Sequence, residues 1–264
     1  MATRLLSMPS ILPPAGNDVQ ADSGSARDRA GRRAYIRIMY AILLAMLCSA
    51  ADPAPAEGWV ELFNGHNLDG WVARGGRAKY AVEDGCIVGR SAPNTPNSFL
   101  CTSKTFDNFI LELEFKIDAD LNSGVQVRSE FVEEGKTVES AGKTVKGRKS
   151  GGTVFGYQVE IDPDVKRNRL WTGGLYDESR RGWLKDLKDN DAARKAFKPG
   201  AWNRLRIECR GDTIKTWVNG VAAAELHDTT TPSGFIGLQV HGVKEKKEPL
   251  EVRFRNIRIQ PLGR

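Results

Sequence analysis

From residue 59 onward, apolar and polar residues alternate in short runs separated by Gly, Asn, Asp and Pro. The clearest run, residues 109–117, sets Phe109, Leu111, Leu113, Phe115 and Ile117 against Glu112, Glu114 and Lys116. A period of two is that of a half-buried strand, because successive strand side chains point to opposite faces. The same pattern predicts strands over 59–62, 80–83, 86–89, 98–103, 109–117, 124–129, 157–161, 202–210, 213–218, 221–226, 234–241 and 250–261. Between two of them, Asn219-Gly220 predicts a hairpin, since both residues tolerate the positive φ of a type I′ turn. About a dozen short strands with few helical segments predict an all-β antiparallel sandwich or jelly roll. Two segments break the pattern. Residues 133–152, rich in Lys, Gly, Ser and Thr, predict a long mobile loop, and 184–197 predict one short helix ended before Pro199-Gly200.

Three predicted strands carry polar stripes that ordinary surface strands lack. In 156–162, Val159 and Ile161 fall on one face and Gln158, Glu160 and Asp162 on the other. In 125–128 the stripe is Gln126 and Arg128, and in 238–241 it is Gln239 and His241. If the three converge, they form a groove holding carboxylates, amides, a guanidinium and an imidazole. A salt bridge between Glu160 and Arg128 on neighbouring strands is the plain structural alternative.

Charge narrows the choice of partners. The formal charge of +6 divides into +3 over residues 1–51 and +3 over the rest, so the main domain is only mildly basic. No recognition motif accompanies it, and nucleic acid is not an expected partner. Arg27, Arg29, Arg32, Arg33 and Arg37 precede the apolar run 38–48 and the small residues Ser49, Ala50 and Ala51. That order describes a secretory signal peptide. The expected arrangement is therefore an N-terminal extension with signal over 1–51, a linker over 52–57 and one domain over 58–264. Secretion or a periplasmic location follows, with an uncleaved anchor as the alternative membrane attachment. Cys48 follows Leu47, where lipid attachment would need a small residue. In an oxidising compartment Cys86 and Cys101, nearly symmetric about a turn near Pro93 and Asn94, could pair as a disulfide. Buried free thiols are the alternative. No Cys/His spacing suggests zinc.

The ordered set of motifs resembles the 3-keto-disaccharide hydrolase domain family. Residues 61–65 (ELFNG) and 68–71 (LDGW) look like its start, 122–128 (NSGVQVR) like its Asn-Ser-Gly element, and 156–162 like its central strand. Residues 172–176 (TGGLY), Trp202-Asn203, Asn219-Gly220, 237–242 (GLQVHG) and 254–257 (FRNI) follow in family order. The resemblance implies a concanavalin A-like jelly roll of two curved antiparallel sheets with one short helical excursion and a ligand groove on the concave face. It also implies cleavage of glycosides already oxidised to a ketone at C3. The ketone acidifies the C2 hydrogen, so a base can remove it, the C1 leaving group can depart, and water can add to the unsaturated product.

On that basis Glu160 is the expected base, His241 its competitor or the acid, and Arg128 the support for the enolate. Asn122, Gln126, Gln158, Asp162 and Gln239 are expected to contact sugar hydroxyls, with Trp171 and Tyr176 supplying a stacking face or a phenolic acid or, for both, core packing. Trp59, Trp71, Trp202 and Trp217 are expected in the core. The substrate would be a glycoside or oligosaccharide and the protein a monomer. No cofactor is required, although Glu160, Asp162 and His241 would suit a hard divalent cation if they converged. Two other readings use the same residues. Glu160, Asp162 and Asp164 are similar to the carboxylate signature of retaining β-glucanases, though Pro163 interrupts the strand. A non-catalytic carbohydrate-binding module would need the same groove.

Overall fold

The structure, a computed structural model of the chain, describes residues 58–166, 169–245 and 249–263. The expected signal segment, the linker and Cys48 lie outside the described residues. The strands are β1 (Val60–Glu61), β2 (Trp71–Gly75), β3 (Lys79–Glu83), β4 (Cys86–Arg90), β5 (Ser98–Thr102), β6 (Phe109–Ile117), β7 (Ser123–Val132), β8 (Thr137–Ser140) and β9 (Lys143–Lys146). They continue with β10 (Thr153–Ile161), β11 (Leu175–Glu178), β12 (Gly182–Lys185), β13 (Asn203–Arg210), β14 (Thr213–Val218), β15 (Val221–His227), β16 (Phe235–Val240) and β17 (Glu251–Pro261). One short helix, α1 (Asp191–Ala196), is capped by Asn190, whose side chain accepts from the Ala193 N–H.

Two antiparallel sheets make the sandwich. One runs β15-β14-β13-β6-β17-β4-β3, with β1 also on β17; the other runs β12-β11-β10-β7-β16-β5-β2. Alternation explains the layer between them. Leu111, Leu113 and Phe115 of β6 meet Val125, Val127, Tyr157, Val159, Ile161 and Leu238 of the facing sheet in one apolar core. The expected jelly-roll architecture is therefore the one observed. The β14–β15 hairpin turns through Asn219 and Gly220 with φ of 50° and 85°, as the Asn-Gly pair requires.

Four sequence expectations change. Residues 133–152 hold the paired strands β8 and β9 rather than only a loop, and Val145 is buried against Val132 and Phe155. Each of these four-residue strands carries one valine, Val138 and Val145, too little for periodicity to register. Strands β2, β11 and β12 were also unpredicted. Cys86 and Cys101 lie on strands of opposite sheets, and Cys86, Cys101 and Cys209 are free and buried. Burial pushes the Cys101 and Cys209 thiols up to about 12, so neither is a ready nucleophile. Finally, only Trp71 of the four tryptophans assigned to the core is fully buried. Trp59, Trp202 and Trp217 are half-buried and lie under the guanidinium groups of Arg258, Arg255 and Arg206.

The seven-stranded sheet curls. Its edge strand β2 reaches back toward β10, four strands away in the sheet order, and the Gly75 N–H donates to the Gly151 carbonyl at 3.2 Å. Its outer face is thus concave. One half of it carries a separate apolar cluster of Phe99, Cys101, Val154 and Phe235, with Phe131 packed against them. The other half is polar.

Candidate active site on the concave face

Strand register sets the layout of the polar half. Trp183, Tyr176, Gln158, Gln126 and Gly237 are successive partners across β12, β11, β10, β7 and β16, and so form one row on one face. One row away along the strands lies Glu160, opposite Gly124; one row the other way lies Glu178, opposite Gly156. A groove of about 650 Å³ opens here, lined among others by Asn97, Asn122, Gln158, Glu160, Asp162, Arg169, Tyr176, Glu178, Trp183 and His241. That is a volume suited to a small ligand.

Glu160 is buried, with 5% of its surface exposed. Its Oε1 accepts from Asn122 Nδ2 at 2.7 Å and its Oε2 from Gln158 Nε2 at 2.8 Å. The Gln158 Oε1 accepts in turn from Gln126 Nε2 at 2.7 Å and Gln239 Nε2 at 2.8 Å, and Ser129 Oγ donates to Gln126 Oε1 at 2.6 Å. Ser129 orients Gln126, Gln126 and Gln239 orient Gln158, and the Gln158 N–H points at the carboxylate. Burial nevertheless pushes the Glu160 carboxyl up to about 7, against the lowering effect of the two amide bonds.

The Asn-Ser-Gly element now has a physical reading. Asn122 holds Glu160, Ser123 Oγ donates to the Gln239 carbonyl at 2.6 Å, and Gly124 leaves room for Gln158. A Cβ at residue 124 would lie 2.6 Å from Gln158 Cγ and Cδ.

The remaining expectations divide. Gln126 and Gln239 are fully buried and brace Gln158 rather than line the groove. Asp162 lines it but is committed to Arg169, whose Nε donates to Oδ2 at 2.8 Å. Tyr176 lines the groove edge-on to Trp183, centroids 5.4 Å apart. Trp171 is not among the lining residues; it packs edge-on against Trp183 at 4.8 Å and against the core. His241 stands exposed on the rim with Nδ1 bonded to the Gly242 carbonyl at 2.8 Å.

Arg128 is not in the groove. Between Gln126 and Glu130, β7 spans one residue more than its neighbour β10, and between Gln126 and Ser129 one more than β16. This bulge puts Arg128 at φ 47° and turns its side chain away from the stripe. There Nε and Nη1 donate to the Asp107 and Gly211 carbonyls at 2.6 and 2.7 Å, and Nη2 to Asn108 Oδ1 at 3.2 Å. Strict alternation had assigned it to the wrong face. The cations that line the groove among the described residues are Lys166 and Arg169, the latter stacked over Trp171 at 4.8 Å.

Glu160, Asp162 and His241 do not converge on an ion. Among the described residues no group of three or more His, Cys, Asp or Glu is placed to hold a metal. The glucanase-like trio is not one strand row: Asp162 is paired with Arg169, and Asp164, which also lines the groove, lies beyond the end of β10. Sequence reading missed Asn97, Arg169, Glu178 and Trp183. The short β11 and β12 gave too little alternation to mark Glu178 and Trp183 as facing the same way as Glu160.

A curated 3-keto-disaccharide hydrolase of Bacteroides thetaiotaomicron is 25% identical over 292 residues, covering 92% of each chain. A solved structure described as a candidate glycosyl hydrolase from Parabacteroides distasonis superposes with a TM-score of 0.50 at 19% identity, over 81% of this chain and 99% of its own. A Bacillus subtilis protein of unknown function with a galectin-like fold does so at 0.51 and 14% identity, over 75% and 92%. The last two likenesses concern the fold alone. The sequence profile of the 3-keto-alpha-glucoside-1,2-lyase-like domain matches residues 58–260, and the chain belongs to that family.

Proposed function

We propose that this protein cleaves glycosides whose sugar carries a ketone at C3, with Glu160 as the base that takes the C2 proton. The observation that carries this reading is a buried carboxylate in a polar groove, bonded by neutral amides and held near pKa 7. A general base works best when its pKa lies near the working pH, and this one does. Glu160 takes the proton from C2, and the C–H electron pair forms an enolate whose charge rests on the C3 oxygen. When the C3 carbonyl reforms, a C1–C2 double bond appears, the C1–O bond breaks and the aglycone leaves with that pair. Water adding at C1 completes a net hydrolysis. Arg169, rather than Arg128, is the guanidinium beside the groove that can oppose the developing charge.

The family membership and the Bacteroides relative support the substrate class. The Arg-rich, apolar and small segments over 27–51 support export, so that the substrate would be met outside the cytoplasm. The test is product analysis on matched glycosides with and without the 3-keto group. Cleavage of the oxidised member alone is expected. Cleavage of the unoxidised member alone overturns the mechanism, and binding of both without turnover makes the protein a carbohydrate-binding module.

A further inference from the structure

Elimination leaves an alkoxide on the aglycone, and an unactivated sugar alkoxide is a poor leaving group without a proton donor. His241 is exposed on the rim and turned by its Nδ1 toward Gly242. A second carboxyl group lines the same groove. Glu178 retains 8% of its surface, faces the same way as Tyr176 two residues earlier, and lies opposite Gly156, where no side chain competes for the space.

The two glutamates are held differently. Both oxygens of Glu160 receive an amide N–H, the pattern that suits an anion. Glu178 Oε1 receives both Asn97 Nδ2 at 3.3 Å and Ser179 Oγ at 3.1 Å, while Oε2 receives no donor among the described residues. A carboxylic acid carries its proton on the oxygen that accepts nothing. Burial raises the Glu178 carboxyl as it does that of Glu160, and charge on Glu178 disfavours charge on Glu160. The Gln158–Tyr176 pair lies midway, two residues from Glu160 on β10 and two from Glu178 on β11. A sugar ring seated on that floor would have one carboxyl group on each side.

We propose, building on the function above, that Glu178 is the acid that protonates the departing glycosidic oxygen. Its O–H proton passes to the aglycone oxygen as the C1–O bond breaks, leaving Glu178 as the carboxylate and Glu160 as the acid. When water adds at C1 its proton passes to Glu178, and Glu160 returns its own proton to C2, so both groups regain their starting states.

Glu178→Gln keeps the shape and removes the proton donor. With a 3-keto-disaccharide its turnover should fall about 100-fold or more, the usual contribution of a general acid. With a nitrophenyl 3-keto-glucoside, whose leaving group needs no proton, it should fall less than about fivefold. Exchange of the C2 hydrogen in D2O should persist, because Glu160 is intact. Glu178→Asp should recover part of the disaccharide rate, and His241→Ala should not reproduce the leaving-group dependence. Equal loss on both substrates, no loss on either, lost exchange, or the dependence appearing in His241→Ala instead would each overturn the assignment. A wild-type protein that neither exchanges nor cleaves either substrate overturns the proposed function itself.

Discussion

Glu160 and Glu112 are strand glutamates on the outer faces of opposite sheets, and each exposes 5% of its surface. Glu112 is met by three guanidinium groups: Arg204 at 2.6 Å, Arg258 at 2.8 Å and Arg206 at 2.9 Å. They outweigh desolvation and hold its carboxyl down to about 2. Glu160 is met by two neutral amides, and burial prevails, pushing it up to about 7. Similar exposure with different partners, and a deeper setting for the Glu160 carboxyl, yields a fixed anion on one face and a titratable base on the other. Partner chemistry and depth together decide which buried carboxylate can exchange a proton.

Exchanging each glutamate for glutamine tests the contrast most severely. Glu160→Gln should lower turnover of a 3-keto-glycoside by at least about 10³-fold with folding intact, since the base is deleted. Asn122 can turn its carbonyl toward the new amide. Glu112→Gln should leave kcat/KM within about twofold; a comparable loss there would erase the distinction.

Gly124→Ala probes the support of Glu160 without touching it. The added methyl must displace the Gln158 side chain, so kcat should fall by about 10- to 100-fold, and a crystal structure should show the Gln158–Glu160 bond broken. Unchanged kcat with Gln158 moved would show that the amide chain is dispensable.

The pH profile separates the two faces. Glu160 acts as a base only when ionised, so with a nitrophenyl 3-keto-glucoside, whose leaving group needs no proton, kcat/KM should rise about tenfold per unit below pH 7 and level above it. Stability runs the other way for this residue. Its folded pKa lies above its unfolded one, so its contribution is full below about 4.5 and lost as the pH rises through 7. Above that, the buried charge costs up to about 3 kcal/mol. Glu160→Gln should therefore melt higher than the wild type at pH 8 and show no such gain at pH 4. Glu112, whose folded pKa is depressed, contributes stability above 4.5 that is lost as the pH falls toward 2. Because Arg204 is half exposed, solvent screening limits the loss in Glu112→Gln to about 1–2 kcal/mol at pH 7, measured by denaturant midpoint.

The smallest expected effect on catalysis is at Arg128. Arg128→Lys should cost about 2–4 kcal/mol of stability, because one ammonium cannot serve three acceptors spread over Asp107, Asn108 and Gly211. Its kcat at a temperature where it is folded should be unchanged.

These residues also show where sequence was readable. The sandwich was legible because β6 and β14 alternate without interruption, and their predicted and observed bounds coincide. Glu160 and Gln158 were legible because β10 alternates regularly from Tyr157 onward. Arg128 was not, because a bulge adds a residue without altering local composition. Glu178 and Arg169 were not, because one is on a four-residue strand and the other outside any strand. Side-chain direction at such positions depends on pairing partners distant in sequence.

The amide chain behind Glu160 has a further consequence. Ser129, Gln126, Gln158 and Glu160 are joined by bonds that all run one way, so no single amide can reverse alone without setting donor against donor or acceptor against acceptor. The direction of the whole chain is thus set at one end: the Glu160 carboxylate can only accept, whereas the Ser129 hydroxyl, three links away, could donate or accept.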